Sequence, residues 1–208
     1  QDCLNLTHIT IPDSVTEIER WAFIGCSGLI SITIPNGVTS IGSSAFEGCR
    51  KLTNIILPSS LTSIQSETFK DCKNLTNITI PSSVTIIQSK AFYYCSKLKQ
   101  ISIPNSVTEI GQYAFYYCTG LTNITLGTGV TTINDSAFRY CKNLTSIIIP
   151  NSVSKIEGWA FIYCDKLTSV TFENTAGWKM FNSQAIAPED LADASKAAEY
   201  LHNKYYGA

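Results

Sequence analysis

"LISITIPNGVTSIGSSAFEGC", residues 29–49, is one copy of a unit that recurs along the chain and decides its fold. Its final cysteine returns every 23 residues. Leucine, two branched apolar residues, proline, valine, isoleucine and phenylalanine keep the same interval. A fixed period of this length is typical of solenoids, in which each unit forms one lap of a coil. The cysteines are Cys3, Cys26, Cys49, Cys72, Cys95, Cys118, Cys141 and Cys164.

The first arm of each lap has the pattern of a strand. Ile32 and Ile34 alternate with polar residues, which is the two-residue spacing of a half-buried strand. Pro35 ends the strand because proline has no N–H to donate. Equivalent strands of successive laps must then be parallel, and parallel crossovers are nearly always right-handed. We predict a right-handed array of about seven and a half repeats over residues 1–173.

The rest of the lap predicts a second extended arm, along which Val38 and Ile41 point inward, and then a short helical turn. Within residues 43–49, Ala45, Phe46 and Cys49 have the spacing of about one helical turn, with one of two serines as its N-cap. The expected fold class is therefore an α/β solenoid, a superhelix of 23-residue repeats with short parallel strands and short helical turns.

After Phe172 the period breaks, as expected where a cap begins. Residues 188–206 predict a helix, with Pro188 at its first position, acidic residues at its positive end and many alanines. We assign residues 174–208 as a C-terminal capping segment that covers the last lap; the alternative is a linker towards a further domain. The apolar helix face consists of Leu191, Ala194, Ala198, Leu201 and Tyr205.

The N-terminal end has no comparable cover in the sequence. Residues 1–3 fall in the middle of a repeat, which indicates a segment of a longer protein. An uncovered lap presents apolar surface and an unpaired strand edge. We therefore expect end-to-end self-association through this face.

The eight cysteines have three interpretations: a disulfide framework, metal sites or a catalytic thiol. Disulfide frameworks belong to small chains without a core, and metal sites need closely spaced ligands. A cysteine at a fixed inward position is simply a small apolar side chain. We predict buried, reduced thiols, with a few disulfides between stacked laps as the alternative.

Charge and motifs exclude several classes of function. A net charge of -1, with 15% charged residues, provides no strong field for nucleic acid or an anionic membrane. The apolar runs, such as SIIIP at 146–150, are too short to insert into a bilayer. His8 and His202 lie at opposite ends, and no nucleophile–base or phosphate-binding motif occurs. We therefore expect no enzyme, no catalytic residue, no metal site and no cofactor.

Two surfaces are candidates for binding. The outward strand face is neutral and poor in the aromatic and arginine residues that dominate interfaces, so it is interpreted as a solvated surface. On the other side, Gly25, Gly48 and Asp71 precede the cysteines of early laps, and tyrosines precede those of later laps. Stacked laps would align these tyrosines into an aromatic stripe of the kind found at interfaces; the alternative is purely structural packing. The candidate binding residues are Tyr94, Tyr117, Tyr140 and Tyr163, with Tyr93 and Tyr116 beside them.

The pattern L-x2-I-x-I-P-x2-V-x2-I-x3-A-F-x2-C, present at residues 29–49, closely resembles the BspA-like, or treponemal-type, leucine-rich repeats of bacterial cell-surface proteins. The resemblance covers every lap, and "FENTAGWKM" at 172–180 resembles the C-terminal end of such arrays. Gly127 in place of proline and Thr68 in place of alanine are departures that affect local geometry.

The resemblance implies a leucine-rich-repeat fold and a bacterial cell-surface or extracellular location, often with a role in adhesion. We therefore expect a non-catalytic protein that binds an unidentified protein or glycan of a host or a neighbouring cell. The alternative is a passive spacer or stalk that presents other domains. Glycosylation sequons within predicted strands, at Asn77 and Asn123, favour a bacterial origin because glycans would crowd these strands.

Overall fold

A computed structural model describes residues 3–179 and 185–202. For residue 202 it describes the backbone alone. Each of the first seven laps contributes two short strands and the last lap contributes one, and paired strands of neighbouring laps are parallel. The first strands are β1 (His8–Thr10), β3 (Ser31–Thr33), β5 (Asn54–Ile56), β7 (Asn77–Ile78), β9 (Gln100–Ser102), β11 (Asn123–Thr125), β13 (Ser146–Ile149) and β15 (Ser169–Phe172). The second strands are β2 (Glu17–Ile18), β4 (Ser40–Ile41), β6 (Ser63–Ile64), β8 (Ile86–Ile87), β10 (Glu109–Ile110), β12 (Thr132–Ile133) and β14 (Lys155–Ile156).

The pairing register follows the sequence repeat, which confirms the predicted parallel solenoid. Ile32 lies opposite Ile9 on one side and Ile55 on the other. Pairing therefore always joins residues one repeat apart, and each inward side chain lies over its own equivalent. Such stacking buries both flat sides of an inner lap, so stability accumulates through the interfaces between neighbours.

The core is a set of parallel columns of identical side chains. The phenylalanines form its centre, with stacked rings whose centroids lie 5.0–5.7 Å apart. Each pair of rings at this separation contributes about 0.5–1.5 kcal/mol beyond the area that it buries. Except for the partly buried Phe23, the column is fully enclosed. Its members are Phe23, Phe46, Phe69, Phe92, Phe115, Phe138 and Phe161.

The cysteines form a second buried column beside the phenylalanines. None of the eight forms a disulfide, and the seven from Cys26 to Cys164 are buried, as predicted for structural thiols. From Cys49 onward, each S–H donates to the carbonyl of a phenylalanine 26 residues earlier, at 3.1–3.3 Å. The prediction was wrong for Cys3, which is exposed because no earlier lap packs on it within the described residues.

The predicted helical turn at residues 43–49 was wrong, because the backbone there forms consecutive tight turns. Ser44 and Gly48 have left-handed φ values of 56° and 75°, which no α-helix accommodates. The N–H groups of Ser44 and Gly48 donate to carbonyls in the next lap instead of to the preceding turn. Neither serine is an N-cap, and this side of the solenoid is held by hydrogen bonds between laps.

The C-terminal helix is divided in two, unlike the single helix predicted for residues 188–206. Helices α1 (Pro188–Ala192) and α2 (Ala194–His202) are separated by Asp193, whose backbone is extended. Its Oδ1 accepts hydrogen bonds from the N–H groups of Ser195 and Lys196, at 2.9 Å and 3.0 Å, so Asp193 is the N-cap of α2. Residues 203–206 of the predicted helix lie outside the described residues.

Both helices lie against β15, the last strand of the array. Leu191 and Ala198 of the predicted apolar face are buried. Ala194 is only partly buried, and Ala197 is buried instead, because the break at Asp193 changes which side of the helix faces the array. Leu201 packs partly buried against the core, and Tyr205 lies outside the described residues. The division at residue 173 and the capping role stay predictions that these contacts support.

The opposite end of the array is open. Leu4 is 62% exposed and Ile9 is 36% exposed, although Ile9 belongs to an inward column. Within the described residues nothing covers this side of the first lap as α1 and α2 cover β15. End-to-end self-association through this face stays a prediction.

Candidate binding surface

The candidate surface lies on the turn side of the solenoid, where two residues of each lap have left-handed φ values. The second of these directly precedes the cysteine. Early laps place Gly25, Gly48 and Asp71 there, residue types that tolerate this conformation. Later laps place tyrosines there, although a left-handed backbone costs a residue with a Cβ atom about 1–2 kcal/mol. The tyrosines are Tyr94 (φ 61°), Tyr117 (φ 60°), Tyr140 (φ 63°) and Tyr163 (φ 62°).

These four residues form a continuous stack, which we call the tyrosine ladder. Tyr94 stacks on Tyr117 with centroids 4.5 Å apart, and Tyr140 stacks on Tyr163 at the same distance. The central pair, Tyr117 and Tyr140, is tilted by 51° at 5.5 Å. The predicted alignment of the four rings is confirmed. Ring stacking offsets part of the backbone strain.

A second column runs beside the ladder. Tyr93 stacks on Tyr116 with centroids 4.8 Å apart, and Tyr116 also makes an edge contact with Tyr140 at 5.5 Å. Tyr113 meets Tyr116 edge-on at 5.6 Å. The structure thus brings all six predicted residues into one aromatic cluster that spans four laps.

Arg139 continues the second column, one repeat after Tyr116, and sequence reasoning missed it. The available signal was its place in the Tyr93–Tyr116 column. Its guanidinium lies among four rings, as expected for cation–π contacts. The distances from Arg139 Cζ to the ring centroids are 5.2 Å for Tyr140, 5.5 Å for Tyr163, 5.8 Å for Trp159 and 5.9 Å for Tyr116.

The tyrosine hydroxyls are available to a ligand. Within residues 3–179 and 185–202, none of the six predicted tyrosines donates or accepts a side-chain hydrogen bond. Partial burial raises the pKa of Tyr93, and the neighbouring tyrosines raise it further. Burial likewise raises the pKa of Tyr116. The charge of Arg139 lowers this pKa, and the neighbouring tyrosines raise it further, so the net change is upward. These two hydroxyls are therefore protonated at neutral pH and can donate as well as accept.

The same side of the earlier laps carries an ion-pair network instead. Lys70 Nζ lies 2.9 Å from Glu47 and 3.3 Å from Glu67, and Lys90 Nζ lies 3.2 Å from Glu67. Burial raises the pKa of Glu67, but the hydrogen bonds and charges of Lys90 and Lys70 outweigh burial and lower it. These four charges satisfy one another, whereas the six tyrosine hydroxyls of the later laps have no hydrogen-bond partner among the described residues.

The strand face agrees with its interpretation as a solvated surface. The first-strand residues Asn77, Gln100 and Asn123 point outward and are exposed, next to shallow polar grooves such as one of about 680 Å³. No cluster of three or more metal-ligating side chains occurs in the part of the chain that the structure describes. Among the described helices, none has the length and apolar character needed to cross a membrane.

The fold is a leucine-rich-repeat solenoid. It is defined by stacked parallel strands, by a pairing register of one repeat, and by columns of inward leucine and isoleucine side chains. Solved structures agree. A leucine-rich cell-surface protein of Faecalibacterium prausnitzii is 34% identical (TM-score 0.77) over 86% of this chain and 50% of its own. A leucine-rich repeat protein of Bacteroides ovatus is 35% identical (TM-score 0.76) over 81% of this chain and 46% of its own. One from T. pallidum is 34% identical (TM-score 0.74) over 77% of each chain.

Within this class, the chain belongs to the BspA-type leucine-rich repeat family, whose model matches residues 1–96 and 85–191 in six copies. A comparison with curated proteins found no match. The chain spans about half the length of the first two structural relatives. Family membership confirms the predicted resemblance.

Proposed function

We propose that this chain is a non-catalytic binding module of a bacterial cell-surface or secreted protein. It recognises a protein or glycan of another cell through the tyrosine ladder and the residues beside it. The surface location is supported by the relative from Faecalibacterium prausnitzii, which is described as a cell-surface protein.

One observation carries the proposal: the ladder tyrosines occupy a strained position that the first two laps fill with glycine. Ring contacts offset part of this strain, but Gly25 and Gly48 complete the same turn without it. The tyrosines therefore add something that the turn itself does not require. What they add is a row of unused hydroxyls on partly exposed rings, beside an arginine. Tyrosine, tryptophan and arginine are the residues that most often dominate binding energy at interfaces.

The continuous core also suits a spacer or stalk, and binding measurements separate the two functions. The 208-residue chain should be screened against arrays of host-matrix proteins and glycans. A binding module gives a saturable signal that falls at least about tenfold in a Tyr117→Gly, Tyr140→Gly variant. Glycine keeps the left-handed backbone, so the change removes the rings and leaves the turn intact.

The matched control is Gln100→Ala with Asn123→Ala, two exposed residues on the strand face of adjacent laps. This variant should bind as tightly as the wild type. Saturable binding that survives loss of the ladder rings but is lost in the strand-face variant would contradict the proposed site. A complete absence of saturable binding would favour the spacer.

A further inference from the structure

We propose that Arg139 makes the ladder specific for negatively charged sugars, and that it pairs with the carboxylate of an acidic glycan. This inference rests on the proposed function of the ladder and names its ligand class. The observation behind it is a guanidinium without an acidic partner, placed at the more exposed end of the aromatic cluster.

The guanidinium has no polar partner in the described part of the chain. No ion pair or side-chain hydrogen bond of Arg139 occurs there, and its Nε is buried without an acceptor. Its two outer nitrogens, Nη1 and Nη2, also lack acceptors. They are not buried, so a ligand can reach them from solvent. By contrast, Lys70 and Lys90 on the same side of the array each have a carboxylate within 3.3 Å. Leaving a partly buried cation unpaired is costly, and a bound carboxylate would remove that cost.

The ring environment strengthens such a pair. A planar guanidinium matches a carboxylate through two parallel N–H···O bonds. Aromatic rings exclude water around it, and ion pairs are stronger where water is excluded. Trp159 and Tyr163 on the rim of Arg139 are 45% and 42% exposed, which provides apolar surface for a sugar ring. Lys142 Nζ lies 6.0 Å from the Tyr140 centroid, but it pairs with Asp165 at 3.9 Å, so Arg139 is the cation left to meet a carboxylate at this rim.

Backbone geometry favours a glycan over an extended peptide. Peptides that add to a sheet edge are bound through main-chain hydrogen bonds. Here the N–H groups of Tyr94, Tyr117 and Tyr140 already donate to carbonyls of the next lap, and those of Tyr116 and Arg139 close turns. The surface therefore recognises a ligand through hydroxyls, rings and one guanidinium, which suits a hydroxyl-rich molecule that carries a carboxylate.

The test uses the 208-residue chain and a glycan array of uronic- and sialic-acid oligosaccharides, each printed with its neutral or methyl-esterified counterpart. We expect at least one carboxylated glycan to bind at least about tenfold more tightly than its uncharged counterpart. Arg139→Gln should lose that preference, and Arg139→Lys should recover only part of it, because lysine keeps the charge without the planar fork. Arg50→Gln, which removes an exposed charge in an early lap, should bind as the wild type does.

Titration calorimetry on the strongest glycan and on oligoglutamate completes the test. Equal binding of charged and uncharged glycans, or full affinity in Arg139→Gln, would overturn the inference. Tighter, Arg139-dependent binding of oligoglutamate would overturn the choice of a glycan. If an uncharged ligand binds and only the Tyr117→Gly, Tyr140→Gly variant loses it, the proposed function stands and the acidic sugar is refuted. If no glycan binds but the host-matrix array gives saturable, ladder-dependent binding, the acidic sugar is refuted and the proposed function stands. If neither array gives saturable binding, both fail.

Discussion

Adjacent residues 116 and 117 should respond in opposite ways to the same pair of substitutions. Tyr117 has a left-handed φ of 60°, whereas Tyr116 is outside that region. We consider glycine and alanine at each site. Both substitutions remove the ring, so the difference between them isolates the effect of a single Cβ atom on the backbone.

The magnitudes follow from the backbone and the ring contacts. At 117 either change loses the contacts with Tyr94 at 4.5 Å and Tyr140 at 5.5 Å, about 0.5–1.5 kcal/mol each. The Cβ of alanine keeps the left-handed strain that glycine relieves, so Tyr117→Gly should be more stable than Tyr117→Ala by about 1 kcal/mol. At 116 the greater backbone entropy of glycine dominates, and Tyr116→Ala should be more stable than Tyr116→Gly by about 0.5–1 kcal/mol.

Urea denaturation followed by circular dichroism measures the four variants against the wild type. The comparison requires equal m values, since a repeat array can lose cooperativity. The expected result is an inverted order of midpoints at the two sites. If alanine is the more stable substitution at both positions, the left-handed conformation at 117 and the strain argument for the ladder are refuted.

Three further predictions concern the core. Phe115→Ala should destabilise the array by about 3–5 kcal/mol in urea, because it opens a cavity in a fully buried stack; a loss below about 1 kcal/mol would contradict the enclosed column. Iodoacetamide should add at most one group to the native protein, at exposed Cys3, and eight in urea, as counted by mass spectrometry; several native adducts would mean accessible thiols. Burial, and then the nearby Cys26, raise the pKa of Cys49 from 9.0 to about 12, although a hydrogen bond with the Cys26 backbone lowers it. Above pH 9.0 the folded thiol therefore stays protonated while the unfolded one ionises. The contribution of Cys49 to the free energy of unfolding is complete below pH 9.0 and falls by about 1.4 kcal/mol per pH unit above it. Stability measured from pH 8 to pH 11 should decline less steeply in Cys49→Ala, and parallel declines would contradict the raised pKa.

Much of the fold could be predicted because each column uses one residue type for one physical reason. Ile32 alternates with polar neighbours, Pro35 closes the strand, and Phe46 and Cys49 recur at the same interval. Each signal repeats in lap after lap, so even short strands are recognised. The structure confirms the parallel register and the buried columns that these signals predict.

The errors arose where one sequence pattern fits two backbones. The spacing of Ala45, Phe46 and Cys49 suits a helical turn, but it equally suits tight turns whose N–H groups donate to the next lap. Local spacing carries no information about a partner one repeat away. In the C-terminal segment, Asp193 lies within a run of good helix formers, and its side chain caps a new helix instead of continuing the first.

The candidate site was predicted in part. Aligning the repeats revealed the tyrosines, because Tyr117 and Tyr140 occupy one column. The same alignment places Arg139 after Tyr116, but its lack of an acidic partner depends on side chains from several laps and is visible only in three dimensions. The left-handed φ at each ladder tyrosine was also missed, since its signal was the presence of Gly25, Gly48 and Asp71 in the same column of other laps.

The one-repeat register has a consequence for how such genes change. Since every strand pairs only with strands one lap away, a duplicated or deleted 23-residue unit meets matching surfaces above and below. Gain or loss of whole repeats would thus lengthen or shorten the array without disturbing the strand pairing of either neighbour. The length of the array can then evolve separately from the chemistry displayed along its side.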